Sequence, residues 1–555
     1  MTEIRDLIIE LKKNSIDLRV NEDNDIEVLY DSEELPDYFI EQIRDNKQAL
    51  IQFLRKDLNK SSSTIPLAPI QESYPLSSTQ YRFWILSQLG ESANSAYNIC
   101  GTYEFQGKLD LNAMESAFTT IINRHESLRT NFRLNSKGDV RQFILKKEDV
   151  NFKIEFEDIR KEYHENKVYS ILNKEQQQSF NLAKDQLIKI KILQISDLRF
   201  VCSLVMHHII SDGWSMDVIL REFIILYKAS KTQLSNPFPP LNIQYKDYST
   251  WQQENIRSTR FHESRLYWLG QFDGILPILS MPTDRKRPAI KTYNGRIIEK
   301  NLNPSFFKRL KEILKEEQVT LFMGLVGIVN TLLFKYTNQT DLIIGTPMAG
   351  REHRDLENQI GLYVNTLALR NKFSVQDNYR KLLQIVRGNI LDAYNNQAYP
   401  FDLLIEDLNL SSDISRNPLF DIMVALTNDD VKDVEIKLNS FDDIRIIEYP
   451  ENDRFTSKFD LTFLFNESET GLDLSIEYNS DLFNNETICR LADHVQELFI
   501  NISKNPDLPI GEISSLTQRE RDQVLTEFNA TEVDYPMDKT VVDLFEEQAG
   551  RTPDN

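Results

Sequence analysis

Apolar strand patterns and amphipathic helix patterns alternate through most of this sequence, on both sides of a proline-rich junction at residues 235–244. Examples are the strand pattern at 199–206 and the helix pattern at 304–317. Such alternation is typical of α/β lobes, and 555 residues exceed what one hydrophobic core usually organises. The sequence therefore predicts an α/β protein with two lobes, which span residues 73–245 and 246–514.

The most apolar stretch of the chain, from Leu321 to Phe334, has the length of a core helix and not of a membrane span. It holds 14 residues, one of them the polar Asn330. A membrane span needs about 20 apolar residues. We therefore expect a buried helix here, in the second lobe.

The chain is strongly acidic, with 64 lysine and arginine residues against 85 aspartate and glutamate residues and a formal net charge of -21. A surface of this sign repels nucleic-acid phosphates and anionic lipids, so we expect neither a nucleic-acid nor a membrane partner. The cysteines, Cys100, Cys202 and Cys489, are too few for a disulfide framework in a chain of this length. Together with an N-terminus that lacks the pattern of a signal peptide, they predict a cytoplasmic protein.

Residues 1–58 show the pattern of a small α+β module ahead of the two lobes. A helical repeat of apolar residues is followed by two alternating strands around the polar turn 21–25 and then by two short helices. The serine- and proline-rich segment 59–72 has the composition of a linker. A module of this size at a chain end is typical of an interaction unit, and the alternative is an extension without a role of its own.

Two adjacent histidines, His207 and His208, directly follow an apolar strand and precede a helical run. Side chains alternate between the faces of a strand, so only one of the two can be the working imidazole. Asp212 and Gly213 fit a turn in which the glycine adopts a positive φ. A histidine suits proton transfer from an amine or hydroxyl that attacks a carbonyl. The alternative is a core histidine whose hydrogen bonds are satisfied.

Other kinds of site lack the residues that they need. The remaining histidines are scattered, and neither a C-x-x-C nor an H-E-x-x-H pattern occurs, so no metal site is expected. The loop at 345–351 suggests a phosphate loop, but Arg351 and Glu352 stand where lysine and serine or threonine are required. No G-x-S-x-G elbow occurs, and Cys202 lies inside an apolar strand, where a core thiol is expected.

The histidine segment, of the form HHxxxDG, resembles the signature of condensation domains of non-ribosomal peptide synthetases, which are relatives of chloramphenicol acetyltransferase. Other acyltransferases share part of this signature, so the resemblance rests also on further segments that follow the family's order. These segments are 75–84, 124–132, 245–252, 360–366, 396–402 and 415–420. The resemblance therefore covers residues 73–514.

The resemblance implies two chloramphenicol acetyltransferase-like lobes in a V-shaped pseudodimer, with a tunnel that has His208 at its middle. It implies that donor and acceptor carrier proteins present phosphopantetheine thioesters from opposite mouths of this tunnel, and that the chain itself binds no cofactor. The acceptor amine would attack the donor thioester and form a peptide bond. Two alternatives stay open: an ester- or amide-forming acyltransferase with a free acceptor, and a catalytically silent gatekeeping domain.

The residues of three segments also resemble the subclass that joins an L-configured donor to an L-configured acceptor. These segments are 95–99, 124–132 and 212–215. The intact histidine pair argues against heterocyclising relatives, and Trp214 followed by Ser215 argues against epimerising ones. Thr79 departs from the family pattern, which has a small residue before Gln80, and this departure touches nothing catalytic.

The resemblance further implies which side chains support the site. An arginine is expected to pair with Asp212 and to fix its loop, the alternative being a solvated surface pair. The candidates, in order, are Arg351, Arg124 and Arg129. Trp251 and Asn365 are expected to be tunnel or packing residues. Packing is favoured for Trp251, and the amide of Asn365 could orient substrate.

The two ends of the chain carry further resemblances. Residues 1–58 resemble the docking domains that open some synthetase subunits, and the implied ligand is the C-terminal tail of an upstream subunit. An exposed hairpin edge can accept such a tail by strand addition. Residues 515–555 resemble the linker and the beginning of an adenylation domain, whose nucleotide motifs would lie beyond the chain. A longer natural protein with a downstream adenylation domain is therefore expected.

Overall fold

In a computed structural model of the chain, the described residues form two sheet-based lobes preceded by a small hairpin and a helix. The structure describes residues 16–20, 26–30, 37–47, 50–51, 65–88, 90–256, 258–410, 413–428, 444–449, 456–468, 471–532, 534 and 536–553.

The elements within this part of the chain are named in chain order. The helices are α1 (Asp37–Asp45), α2 (Ser78–Ser87), α3 (Glu91–Ser95), α4 (Leu111–Arg124), α5 (Glu165–Gln176), α6 (Gly213–Lys231), α7 (Tyr245–Asn255), α8 (Thr259–Gln271), α9 (Pro304–Glu316), α10 (Leu321–Thr337), α11 (Tyr379–Asn395), α12 (Phe401–Leu408), α13 (Asn485–Lys504), α14 (Gln518–Asp522) and α15 (Val541–Arg551). The strands are β1 (Ile16–Val20), β2 (Ile26–Tyr30), β3 (Tyr74–Pro75), β4 (Asn98–Gln106), β5 (Thr130–Leu134), β6 (Val140–Ile144), β7 (Glu155–Asp158), β8 (Ile188–Ser196), β9 (Arg199–His207), β10 (Gly295–Leu302), β11 (Asp341–Met348), β12 (Asn365–Lys372), β13 (Ile422–Asn428), β14 (Arg445–Glu448), β15 (Leu461–Ser468) and β16 (Gly471–Asn479).

The first lobe is built on a five-stranded sheet with the order β14-β4-β9-β8-β7 and on a three-stranded sheet with the order β3-β6-β5. β4 and β9 pair in antiparallel register from Asn98 opposite His207 to Gln106 opposite Arg199. Helices α4 and α6 pack against each other, and their apolar faces belong to one buried cluster. The end of β9, with its histidines, therefore lies beside the start of β4.

The second lobe is built on a six-stranded sheet with the order β10-β16-β15-β13-β11-β12. Helix α10 is buried from Met323 to Phe334, as the sequence predicts for this apolar stretch. Among the described helices, none is by itself long and apolar enough to cross a membrane. Helices α9 and α10 reach that length and apolarity only as a pair, and they are bent by 108° at the break between them.

The two lobes exchange segments across the predicted boundary at residue 245. Strand β14 comes from the second half of the chain and pairs with β4 at the edge of the first-lobe sheet. Leu356, Ile360 and Leu362, which follow β11, are buried in the first-lobe core. Helix α7 packs against β3. The α/β class and the two lobes are confirmed, but the cores draw on both halves of the sequence.

The predicted N-terminal hairpin is present. β1 and β2 pair in antiparallel register from Ile16 opposite Tyr30 to Val20 opposite Ile26. Helix α1 follows where the first of two short helices is predicted. The predicted helix around residues 4–11 lies outside the described residues, as does most of the second short helix at 47–54.

Candidate active site

The histidine segment lies where β9 ends and α6 begins. His207 is the last residue of β9, and His208 opens a short 3₁₀ turn. The backbone N–H of His208 donates to the carbonyl of Tyr97 at 2.8 Å, and that of His207 donates to the carbonyl of Leu187 at 3.1 Å. These bonds fix both histidines against the neighbouring chain segments.

The imidazole of His208 stacks on Phe83, with 5.0 Å between the ring centroids. Its Nδ1 lies 2.9 Å from the carbonyl oxygen of Ser211, and since a carbonyl only accepts, Nδ1 carries the proton and donates it. The lone pair of the neutral ring is therefore on Nε2. Burial first, and next the positive charge of Lys458, lower the pKa of His208 well below its ordinary value. The ring is thus neutral at neutral pH and able to take a proton.

His207 faces other surroundings, with its ring 6.3 Å from that of Phe180. Its Nδ1 accepts the backbone N–H of Ile209 at 3.1 Å. Its Nε2 has no hydrogen-bond partner among the described residues. Burial, together with the charge of Lys458, lowers the pKa of His207 to about 3. The two imidazoles therefore do not share one face, and His207 is a buried neutral histidine.

Replacing His207 by asparagine is expected to make the free energy of unfolding less dependent on pH in the acid range, because asparagine does not titrate. Its side-chain oxygen can still accept the backbone N–H of Ile209. With a folded pKa of about 3, His207 stays neutral in the fold while the unfolded chain takes up a proton below about pH 6.5. Stability is therefore lost as the pH falls from the unfolded pKa towards the folded one. Between neutral pH and about pH 5, the free energy of unfolding of the wild type should therefore fall by roughly 2 kcal/mol more than that of the variant.

Urea unfolding of both proteins at neutral and at acid pH measures this difference. Equal losses of unfolding free energy in the wild type and in His207→Asn would contradict a buried neutral His207.

Asp212 caps the N-terminus of α6. Its Oδ1 accepts the backbone N–H of Ser215 at 2.9 Å, and its Oδ2 accepts that of Tyr363 at 3.0 Å. Gly213 is the first residue of the helix and has no positive φ, so the prediction of a glycine turn is wrong. The chain enters the helix directly at its capping aspartate. A Cβ at Gly213 would meet open space.

Arg351 is the arginine that pairs with Asp212. Its Nη2 lies 2.9 Å from Oδ1 of Asp212, and the two side chains are only 2% and 3% exposed, so the pair is not a solvated surface pair. The other two candidates pair with glutamates instead, as Arg124–Glu222 at 2.9 Å and Arg129–Glu126 at 3.5 Å. The structure therefore places neither Arg124 nor Arg129 on the capping aspartate.

The same arginine joins the two lobes. Nη1 of Arg351 donates to the carbonyls of Leu356 and Gln359. The hydroxyl oxygen of Ser215, in the first turn of α6, also accepts the N–H of Gly361 at 3.1 Å. The loop after β11 is thus tied to the helix start that follows the histidines.

Trp251 and Asn365 line a cavity of about 290 Å³ between α7, the loop after β11 and the loop before α12. Trp251 packs at 6.1 Å from the ring of Tyr248. The side-chain nitrogen of Asn365 donates to the carbonyls of Gln397 and Tyr399 at 2.8 and 2.9 Å. The amide of Asn365 thereby holds the loop before α12. That this amide also orients substrate stays a prediction.

Three side chains around His208, those of Phe83, Tyr97 and Lys458, were not recognised as site residues from the sequence. The rings of Phe83 and Tyr97 meet edge-on with their centroids 4.8 Å apart, and Lys458 of the second lobe lies over the ring of Tyr97. The two aromatic residues lie within the segments that carry the family resemblance, but their pattern is that of core residues. Lys458 precedes β15, far along the chain, and no local pattern connects it to the histidines.

From the sequence, neither a metal centre nor a cysteine nucleophile is expected. Among the described residues, no three or more His, Cys, Asp and Glu side chains are grouped to hold a metal ion. Cys202 is buried in β9, and burial raises the pKa of its thiol to about 12. A thiol of such a high pKa is a poor nucleophile.

A profile of the family described as "Condensation domain" matches residues 70–525. The match includes the histidine segment and both lobes. The chain therefore belongs to the condensation domain family.

Among curated proteins, bacitracin synthase 1 of Bacillus licheniformis is 38% identical over 483 residues, which are 87% of this chain and 9% of that protein. Tyrocidine synthase 3 of Brevibacillus parabrevis is 36% identical over 508 residues, which are 92% of this chain and 8% of that protein. The chain thus spans less than a tenth of the length of these relatives.

Among solved structures, a four-domain nonribosomal peptide synthetase bound to AMP and glycine matches with a TM-score of 0.77 at 22% identity. The match covers 88% of this chain and 37% of that one. This likeness confirms the predicted fold of two α/β lobes.

Proposed function

We propose that the chain forms peptide bonds in non-ribosomal peptide synthesis. The amine of an acceptor aminoacyl thioester attacks a donor aminoacyl or peptidyl thioester. The observation that carries the proposal is the neutral imidazole of His208, whose Nδ1–H is bound to Ser211 and whose lone pair is therefore on Nε2. Membership of the condensation domain family supports the same reaction.

In this reaction a C–N bond forms and a C–S bond breaks. The attacking nitrogen gains positive charge and gives a proton to Nε2 of His208, which returns it to the leaving thiolate sulfur. Because the nitrogen becomes strongly acidic as it attacks, an imidazole of lowered pKa is basic enough to take this proton. Holding the two thioesters in place contributes proximity, which can reach about 7–11 kcal/mol.

The alternative role for the same imidazole is to hold the amine and the tetrahedral oxyanion. A flat pH profile of the single-turnover rate would favour this positioning role over that of a base.

The partners proposed for this reaction are donor and acceptor carrier proteins with phosphopantetheine arms, and the chain consumes no cofactor of its own. Residues 1–58, which the linker 59–72 joins to the first lobe, would dock the C-terminal tail of an upstream subunit. Residues 515–555 would lead into a downstream adenylation domain. The L-donor and L-acceptor subclass and a cytoplasmic location belong to the same proposal. The support for the subclass is the resemblance of segments 95–99, 124–132 and 212–215.

The proposal is tested by mixing donor-loaded carrier protein with one of two acceptor carriers, which bear an amino acid or the matching hydroxy acid, and with this chain. Intact-protein mass spectrometry then reads the product on the acceptor carrier. We expect a dipeptidyl thioester with the amino acid and little product with the hydroxy acid, since a hydroxyl needs a stronger base. A preference for the hydroxy acid would indicate an ester-forming relative. Product from neither acceptor, across several loaded amino acids, would favour a silent gatekeeping domain.

A further inference from the structure

The ring of Phe83 lies face to face with the imidazole of His208. The two ring centroids are 5.0 Å apart, and the angle between the ring planes is 27°. An aromatic face attracts a cation that lies over it within about 6 Å of the ring centroid. Phe83 therefore presents a favourable surface to the positive charge that His208 gains when it takes a proton.

The helix that carries Phe83 is fixed to the turn that carries His208. Helix α2 begins with a capping box, in which the hydroxyl of Ser77 accepts the backbone N–H of Gln80 and the side-chain oxygen of Gln80 accepts that of Ser77. The side-chain nitrogen of Gln80 also donates to the carbonyl of Ile209 at 3.1 Å, inside the 3₁₀ turn. Gln80 and Phe83 are three residues apart, so they lie on the same face of α2. Local hydrogen bonds thus hold this face against the turn.

A second ring supports Phe83 from the side. The rings of Tyr97 and Phe83 meet edge-on, with 4.8 Å between the centroids and 88° between the planes. Both residues are buried. The backbone carbonyl of Tyr97 accepts the N–H of His208 at 2.8 Å. The three rings therefore form one packed group, in which Phe83 has little freedom to turn away from the imidazole.

Within the described part of the chain, no carboxylate pairs with His208 to stabilise its charged form. Three other histidines each lie within 3.4 Å of a carboxylate oxygen. These pairs are His125–Glu222, His353–Asp355 and His494–Glu520. Asp212, the acidic residue nearest to His208 in sequence, is already paired with Arg351. Because burial disfavours an imidazolium, the proton that His208 takes needs another source of stabilisation. The face of Phe83 is in contact with the ring and can supply it.

The neighbouring histidine meets a phenylalanine in another way. The rings of His207 and Phe180 are edge-on at 80°, with 6.3 Å between the centroids. Neither the angle nor the distance suits the stabilisation of a cation by an aromatic face. The face-on contact thus belongs to the proposed proton acceptor and not to its neighbour.

The elements around His208 carry further charged and titratable groups. They are the Arg82–Asp402 pair, the Asp212–Arg351 pair, His207, Tyr97 and the ammonium of Lys458 over the ring of Tyr97. A substitution at Phe83 leaves all of these groups in the protein. A change in the titration of His208 then reports on the ring at position 83.

We propose that Phe83 is a positioning residue for the proposed reaction, whose ring fixes the plane of the His208 imidazole and whose face stabilises the imidazolium that forms there. This inference rests on the proposed function. The N–H bond of the attacking amine breaks, its proton binds Nε2 of His208, and the imidazolium then gives this proton to the leaving thiolate. Phe83 exchanges neither atoms nor electrons in these steps. Its loss should therefore lower the rate and leave the binding of the carrier proteins unchanged.

The first test varies the charge on the aromatic face at constant shape. Phenylalanine analogues with one, two or three fluorine atoms are introduced at position 83, because fluorine withdraws negative charge from the face of the ring. The single-turnover rate between loaded carrier proteins should fall stepwise with the number of fluorine atoms, to about tenfold below the wild type. The carrier concentration that gives half the maximal rate should stay the same.

Phe118 is the matched control, since it is a buried ring of the first lobe that stacks on Phe223. The same analogues at position 118 should leave the rate unchanged. Phe83→Tyr keeps an aromatic face and should keep most of the activity. Phe83→Met fills a similar volume without a ring and should be about tenfold slower. Equal rates for all analogues at position 83 would mean that Phe83 only packs, and would overturn the proposal.

The second test observes His208 without any reaction. Protein labelled with ¹⁵N in the histidine rings is titrated, and a His208→Gln variant identifies the signal. The wild type should show one tautomer with its proton on Nδ1, as the bond to Ser211 requires. In Phe83→Met, the ¹⁵N shifts should move towards a mixture of tautomers. The protonated fraction of His208 at a given acid pH should also fall about tenfold.

Phe83→Tyr should titrate as the wild type does. Unchanged ¹⁵N shifts and an unchanged titration of His208 in Phe83→Met would overturn the proposal. If the wild type forms no product with any loaded carrier while His208 responds to Phe83→Met as expected, the proposed reaction is wrong and the hold of Phe83 on His208 stands.

Discussion

Replacing Arg351 by methionine is expected to lower the free energy of unfolding by about 3–5 kcal/mol and to remove the proposed activity. The side chains of Arg351 and Asp212 are almost completely buried, so the variant leaves a carboxylate in the interior without its cation. It also removes the guanidinium that donates to the carbonyls of Leu356 and Gln359. The loop after β11 then loses its anchor on the helix start beside His208.

Urea unfolding and the carrier-protein assay on the same preparations measure both effects. Arg354→Met is the matched control, because it removes an exposed arginine from the same loop and should change stability by less than about 0.5 kcal/mol. The charge reversal Asp212→Lys tests the pair from its other side and should abolish activity by misfolding the loop. A stable and active Arg351→Met, or a well-folded and active Asp212→Lys, would contradict this account of the pair.

The position of the site could be predicted because its signals are local. An apolar strand ends at His207, and a helical run begins a few residues later, so hydrophobic periodicity alone places the histidines at a strand end. The predicted turn at Gly213 was wrong because an aspartate followed by a glycine fits a turn and a helix cap equally well. Only the backbone of α6 shows that Asp212 is a cap.

The contributions of distant segments could not be predicted, because periodicity carries no information about long-range register. Strand β14 looks like any short strand of the second lobe, yet it pairs with β4 in the first. Lys458 likewise stands before a strand of the second lobe and nonetheless lies beside Tyr97. The family resemblance ranked Arg351 first as the partner of Asp212, and the structure confirms this choice. Periodicity could not have made it, since only the fold shows that Arg124 and Arg129 pair with glutamates of the first lobe.

Replacing His208 by alanine is expected to slow single-turnover condensation by about 10²–10⁴-fold, the usual contribution of a positioned proton acceptor. The fold should survive, because the side chain of His208 makes one hydrogen bond, to Ser211, and one ring contact, with Phe83, within the part of the chain that the structure describes. His207→Asn is the matched variant, since it changes the neighbouring imidazole, which faces Phe180 and not Phe83. It should keep most of the activity.

The central claim is that the imidazole of His208 serves peptide-bond formation. The most direct measurement is intact-protein mass spectrometry of the acceptor carrier after one turnover with the wild type, His208→Ala and His207→Asn. We predict a condensed dipeptidyl thioester with the wild type and with His207→Asn, and none on the same time scale with His208→Ala. Equal product from the wild type and His208→Ala would contradict the claim and make His208 a bystander.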